Sequence, residues 1–117
     1  MELIVKENLK TIKIRKEEGE KEIKIYKTIA KFLTDKIKAG SVEVIVTERE
    51  EVYDIEVAVT KRIGVLEPED AFKELAKFVL KLEKLKEYLD KLYSFYSEHL
   101  EEIKGAENGE NQGKNQN

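Results

Sequence analysis

The chain has 117 residues, 22 Lys and Arg against 25 Asp and Glu, one His, and neither Cys nor Trp. That length holds one small domain, or a small domain with an extension. The absence of cysteine excludes disulfides and thiolate chemistry. Forty per cent of residues are charged, the only Met is Met1, and before residue 108 there is no Gln and a single Asn, Asn8. Dense Lys and Glu with few thermolabile side chains is the hyperthermophile pattern. Met1–Asn8 carries acidic residues and does not read as a signal peptide, and no apolar run approaches membrane-spanning length. A soluble cytoplasmic protein is expected.

Leu3, Ile4 and Val5 begin a first strand, and Ile12 and Ile14 alternate with Lys13 and Arg15 in a second. A turn at Asn8 and Leu9 sets Leu3 against Ile14 and Val5 against Ile12, which predicts a hairpin. The run from Glu17 to Glu22 holds no apolar side chain and reads as an exposed connection. Ile23 and Ile25 alternate as in a strand, whereas Tyr26, Ile29, Ala30, Leu33 and Ile37 recur at helical spacing; the reading adopted is a helix over 25–38 closed by Gly40. A second hairpin follows, with Glu48–Glu51 as its loop, pairing Val46 with Tyr53, Val44 with Ile55 and Val42 with Val57 on one buried face. Glu43, Asp54 and Glu56 then point to water. The long helix begins at Glu67-Pro68-Glu69-Asp70, with proline in the first turn and acids where the helix dipole favours them.

Leu75, Leu82, Leu89, Tyr96 and Ile103 are spaced by sevens, with Phe78, Leu85, Leu92 and His99 three residues after the first four of them. Such a repeat predicts a seam for other helices. The expected interface is Leu75, Leu82, Leu85, Leu89, Leu92, Tyr93, Tyr96, Leu100 and Ile103, in a homodimer or homotetramer. The opposing reading, in which the stripe packs on the chain's own sheet, is disfavoured by length: about 36 residues at 1.5 Å each make roughly 54 Å. The expected fold is α+β: two antiparallel hairpins forming a sheet packed on one helix (ββαββ), followed by a long coiled-coil helix. In domain terms, 1–66 is a small α+β nucleic-acid-binding unit, 67–104 a helical oligomerisation segment, and 105–117, rich in Gly, Asn and Gln, a disordered tail.

No Ser, His and Asp arrangement, glycine-rich phosphate loop or metal-spaced Cys or His cluster stands in the sequence, so neither enzyme nor cofactor is expected. His99 reads as an interface histidine rather than a metal ligand. Charge says more. Residues 1–40 carry eleven Lys or Arg against seven acids, while 67–117 carry eight against twelve. Such polarity aims one end of a molecule at a polyanion. Candidate contacts are Lys13 and Arg15 on the first hairpin, Lys24, Lys27 and Lys31 on or near the helix, Arg49, Lys61 and Arg62 at hairpin ends, and Tyr26 as a stacking surface. Lysine with exposed aromatics is the minimum equipment for single-stranded nucleic acid. Because Glu43, Asp54 and Glu56 make the second hairpin's free face acidic, a strand is expected at the helix and first-hairpin side or between subunits.

The order hairpin, helix, hairpin and long zipper helix, in a cysteine-free chain with a basic N-terminal part, resembles the archaeal ThermoDBP proteins and their relatives. The resemblance covers residues 2–104 and implies an oligomer that binds single-stranded DNA without reading its sequence. The alternative is a structural or protein-interaction scaffold built by the C-terminal helix, with no nucleic-acid binding.

Overall fold

A computed structural model describes residues 2–64 and 67–99. The element order is β1 (Glu2–Arg15), α1 (Lys16–Thr34), β2 (Gly40–Glu48), β3 (Val52–Gly64) and α2 (Pro68–Glu98). The three strands form one antiparallel sheet in the order β1-β3-β2. The chain is thus α+β, but βαββα and not ββαββ: the first expected hairpin is one 14-residue strand.

The phase of its apolar residues explains the misreading. Leu3 and Val5 are odd-numbered, Ile12 and Ile14 even-numbered, and a turn between them would put all four on one face. The structure achieves the same change of phase with a bulge. Asn8 pairs with Ala58 and Lys10 with Val57, leaving Leu9 unpaired and buried. One extra residue swaps the faces without reversing the chain. The acidic run expected to be a loop is the start of α1, where Glu17 and Glu18 suit the positive end of the helix dipole. Gly19 sits there because a β-carbon would collide with the Tyr53 ring.

The β2–β3 hairpin keeps its expected buried face in a different register. Val46 pairs with Ile55, Val44 with Val57 and Val42 with Val59. The slip is two residues, and a two-residue slip returns every side chain to the same face. After α1 the chain turns through Ala39, whose φ of 54° lies in the left-handed region. Gly40 follows because a β-carbon there would strike the Thr60 carbonyl and Ile37.

Both helices pack on one face of the sheet, making two layers. Ile25, Ile29 and Leu33 of α1 and Phe78, Leu82, Leu85 and Leu89 of α2 share a cluster with Val42, Ile55, Val57 and Val59. That cluster draws on both sides of the expected 66/67 boundary. The heptad stripe is therefore used inside the chain: Leu82, Leu85 and Leu89 are buried, Leu92, Tyr93 and Tyr96 pack against the same cluster, and Leu75 is half-buried. Leu100, Ile103 and the tail lie outside the described residues. The length argument fails because the sheet is longer than a small domain of about 65 residues suggests. A single strand of 14 residues is about 46 Å long, and a helix of 31 residues is also about 46 Å. The sheet is long enough to seat the helix.

Candidate nucleic-acid interface

The expected contacts separate into three places. Lys13 and Arg15 are exposed on the sheet face away from the helices, where Lys13 stands across from Asp54. Arg49 Nε donates to Asp54 Oδ2 at 2.8 Å. With Glu43 and Glu56 on the same face, that surface is of mixed charge and gives a polyanion no continuous track. Lys61 donates to the Lys38 carbonyl, and Arg62 pairs with Glu2 at 2.9 Å. Lys24, Lys27 and Lys31 are exposed along the outer side of α1, spaced by three and four, and form no ion pair among the described residues.

Tyr26 is not available to a ligand. It is 2% exposed and stacked on Tyr93 with ring centroids 5.1 Å apart. Tyr93 donates its hydroxyl proton to Glu22 Oε1 at 3.0 Å. Burial, with the charges of Glu22 and Asp90, pushes the Tyr26 phenol up to about 12. Burial and the bond to Glu22 raise Tyr93 as well. These two rings fasten α1 to α2.

Another pair of aromatics is open. Phe32, one residue before the fully buried Leu33, and Tyr88, three residues after the buried Leu85, stack at 6.0 Å with planes 12° apart. They remain 36% and 43% exposed. Beside them Leu33, Leu85 and Tyr88 line a cleft of about 300 Å³ whose remaining walls are Lys36, Lys81 and Lys84. Lys36 Nζ stands 5.2 Å from the centre of the Phe32 ring, within cation–π range. None of these three lysines forms an ion pair among the described residues. Apolar floor, exposed ring faces and unneutralised ammonium groups meet where α1 ends against the middle of α2.

Part of this site was visible in the sequence. Lys77, Lys81, Lys84, Tyr88, Lys91 and Phe95 recur at intervals of four and three, a helical stripe without an acid. The stripe runs beside the heptad repeat on the same helix, whose stronger apolar signal masks it. Phe32 carried no such signal, since only the α1–α2 crossing brings it to Tyr88. His99 ends α2: its backbone N–H and its ring Nδ1 both donate to the Phe95 carbonyl, at 3.0 and 2.9 Å, and its ring stacks on Phe95. Among the described residues no three His, Cys, Asp or Glu are placed to hold a metal ion, and no helix is long and apolar enough to cross a membrane.

Comparison with protein-family models, with curated proteins and with solved structures gave no match to this chain. The likeness to the ThermoDBP group rests on an element order that the structure does not have, so it lends this interface no weight.

Proposed function

We propose that the protein binds single-stranded DNA or RNA without sequence preference, as a homo-oligomer in the cytoplasm. The observation that supports this is the exposed Phe32–Tyr88 pair with Lys36, Lys81 and Lys84 around it. Every base offers a π-face, and stacking on an exposed ring is indifferent to which base it is. The lysines neutralise phosphates on either side of the stacked base. Among the described residues the cleft is lined by Leu, Lys and Tyr, with no Asn, Gln or Arg side chain. Bases in a duplex keep their faces against one another, so an unpaired strand is the fitting ligand. Lys24, Lys27 and Lys31 extend the basic surface along α1, and assembly multiplies a few weak contacts through effective concentration.

A labelled poly(dT) strand titrated at low and moderate salt tests the reading. Binding that weakens with salt is expected; no binding, or binding indifferent to salt, ends it. A second reading, a protein-interaction scaffold, draws on the apolar side chains that α2 exposes at Phe72, Val79 and Leu80. Failure of the titration leaves that one standing.

A further inference from the structure

We infer that a second copy of this chain docks along the open edge of β1, pairing the segment Glu2–Lys6 with itself in antiparallel fashion about a two-fold axis at Ile4. Among the described residues β1 is an edge strand, hydrogen-bonded only to β3 within the sheet. Such an edge is a template for another strand. With the axis at Ile4, Ile4 meets Ile4 of the second copy, Leu3 meets Val5, and Glu2 meets Lys6. Registers shifted by one or two residues lose this match, setting Glu2 against Glu7, Asn8 or an apolar side chain. Glu2, Ile4 and Lys6 lie on the open face, where Ile4 is 66% exposed. The bulge after Asn8 ends the pairing and keeps it short.

The other edge of the sheet is less suited to such pairing. The Val42 N–H of β2 donates to Thr34 Oγ1 at 2.9 Å, so α1 already occupies a backbone donor there. Antiparallel self-pairing of β2 would also bring together a strand whose only charges are Glu43 and Glu48.

A second feature falls on the same side of the molecule. Asp90 of α2 accepts from Lys10 of β1 at 3.0 Å, which marks the flank of α2 that faces β1. Phe72 stands eighteen residues earlier, about five turns at 3.6 residues each, and returns to the same flank; Val79 is about 20° from it. Phe72 is 71% exposed. Across the proposed axis the two α2 helices lie side by side above a continuous six-stranded sheet, and these flanks face each other. The interface is isologous and closes at two copies. It does not depend on nucleic-acid binding, and it moves self-association from the heptad stripe, which the core occupies, to the sheet edge.

The test is mass in solution by sedimentation equilibrium of the full chain, with circular dichroism to verify folding. The wild type is expected at twice the 13.6 kDa chain mass. Ile4→Lys, a change at an exposed position, is expected to give a folded monomer. Lys6→Glu and Glu2→Lys are each expected to weaken the dimer about tenfold, because each sets two like-charge pairs across the axis. The double variant is expected to recover affinity to within about threefold, since it restores opposite charges with the signs exchanged. Glu2→Lys also loses the Arg62 bridge, so Lys6→Glu is the cleaner arm. A monomeric wild type, a dimer indifferent to Ile4→Lys, a double variant without recovery, or masses growing beyond two chains would each overturn the proposal.

Discussion

Replacing Lys81 and Lys84 together by Ala separates electrostatics from stacking at the α1–α2 cleft. Three lysines border it. If each neutralises one phosphate of a single strand, these three make the logarithm of affinity fall with the logarithm of salt at a slope of about −2.1, and the double variant retains about −0.7. A fourfold rise in salt then weakens the wild type by about 18-fold and the variant by about 3-fold. Tyr88→Ala acts on the other half of the site. It leaves the slope unchanged and lowers affinity at every salt by the stacking of one base, about 1–3 kcal/mol, or about 5- to 150-fold. Tyr88 is partly exposed, and its loss costs the fold only about 1 kcal/mol from the Phe32 stack. Fluorescence anisotropy with labelled poly(dT) over a salt series reads both quantities. An unchanged slope after Lys81→Ala/Lys84→Ala, or a Tyr88→Ala affinity within about twofold of wild type, would refute the site while leaving binding elsewhere on the surface measurable.

Leu89 is fully buried in this chain's own core; Leu89→Ala is expected to cost about 3 kcal/mol in denaturant melts, and Leu89→Lys to unfold the protein by burying an unpaired ammonium. A well-folded Leu89→Lys monomer would show that α2 uses this stripe against another chain. Ala39→Gly relieves the left-handed backbone at φ 54° and is expected to raise stability by about 0.5–1 kcal/mol net of the added freedom of the unfolded chain, measured by thermal melting. Through Tyr26, stability is expected to hold steady up to about pH 10 and to fall by about 2 kcal/mol by pH 12. The unfolded chain releases the Tyr26 proton near pH 10, whereas the fold retains it to about 12, so the folded state then carries more protons. Tyr93 acts in the same direction. Denaturant melts of Tyr26→Phe should show a shallower decline.

How much could be read without coordinates depended on whether the signal was local. Proline at the start of α2 and the alternation of valines on β2 are local, and α2 begins at Pro68 as the spacing predicts. Register is not local: a slip of two residues preserves every face, so periodicity could not choose between Val57 and Val59 as the partner of Val42. The change of phase in β1 suits a turn and a bulge equally, and only the pairing of the whole strand with β3 decides between them. The first turns of α1 hid because the side facing the sheet there is Gly19, which contributes no apolar side chain. The heptad stripe is apolar as its spacing says, but its neighbour is the chain's own sheet, which a β1 of 14 residues makes long enough to seat it. Of the expected ligand contacts, Lys24, Lys27 and Lys31 are exposed as anticipated, while Tyr26 is buried. Phe32 depends on the crossing of two helices, which no spacing along one of them reveals.

Thr34 has a consequence for how large this protein can grow. Its oxygen receives the Val42 N–H, and its own proton goes to the Ala30 carbonyl at 2.9 Å, so its hydroxyl stoppers one backbone donor at that margin of the sheet. A ribbon whose one margin is partly stoppered and acidic gains a neighbour more readily on the remaining side. Thr34→Val would keep the shape and free that donor, while Glu43 and Glu48 along the same margin still repel a further copy, so the assembly is expected to stay counted.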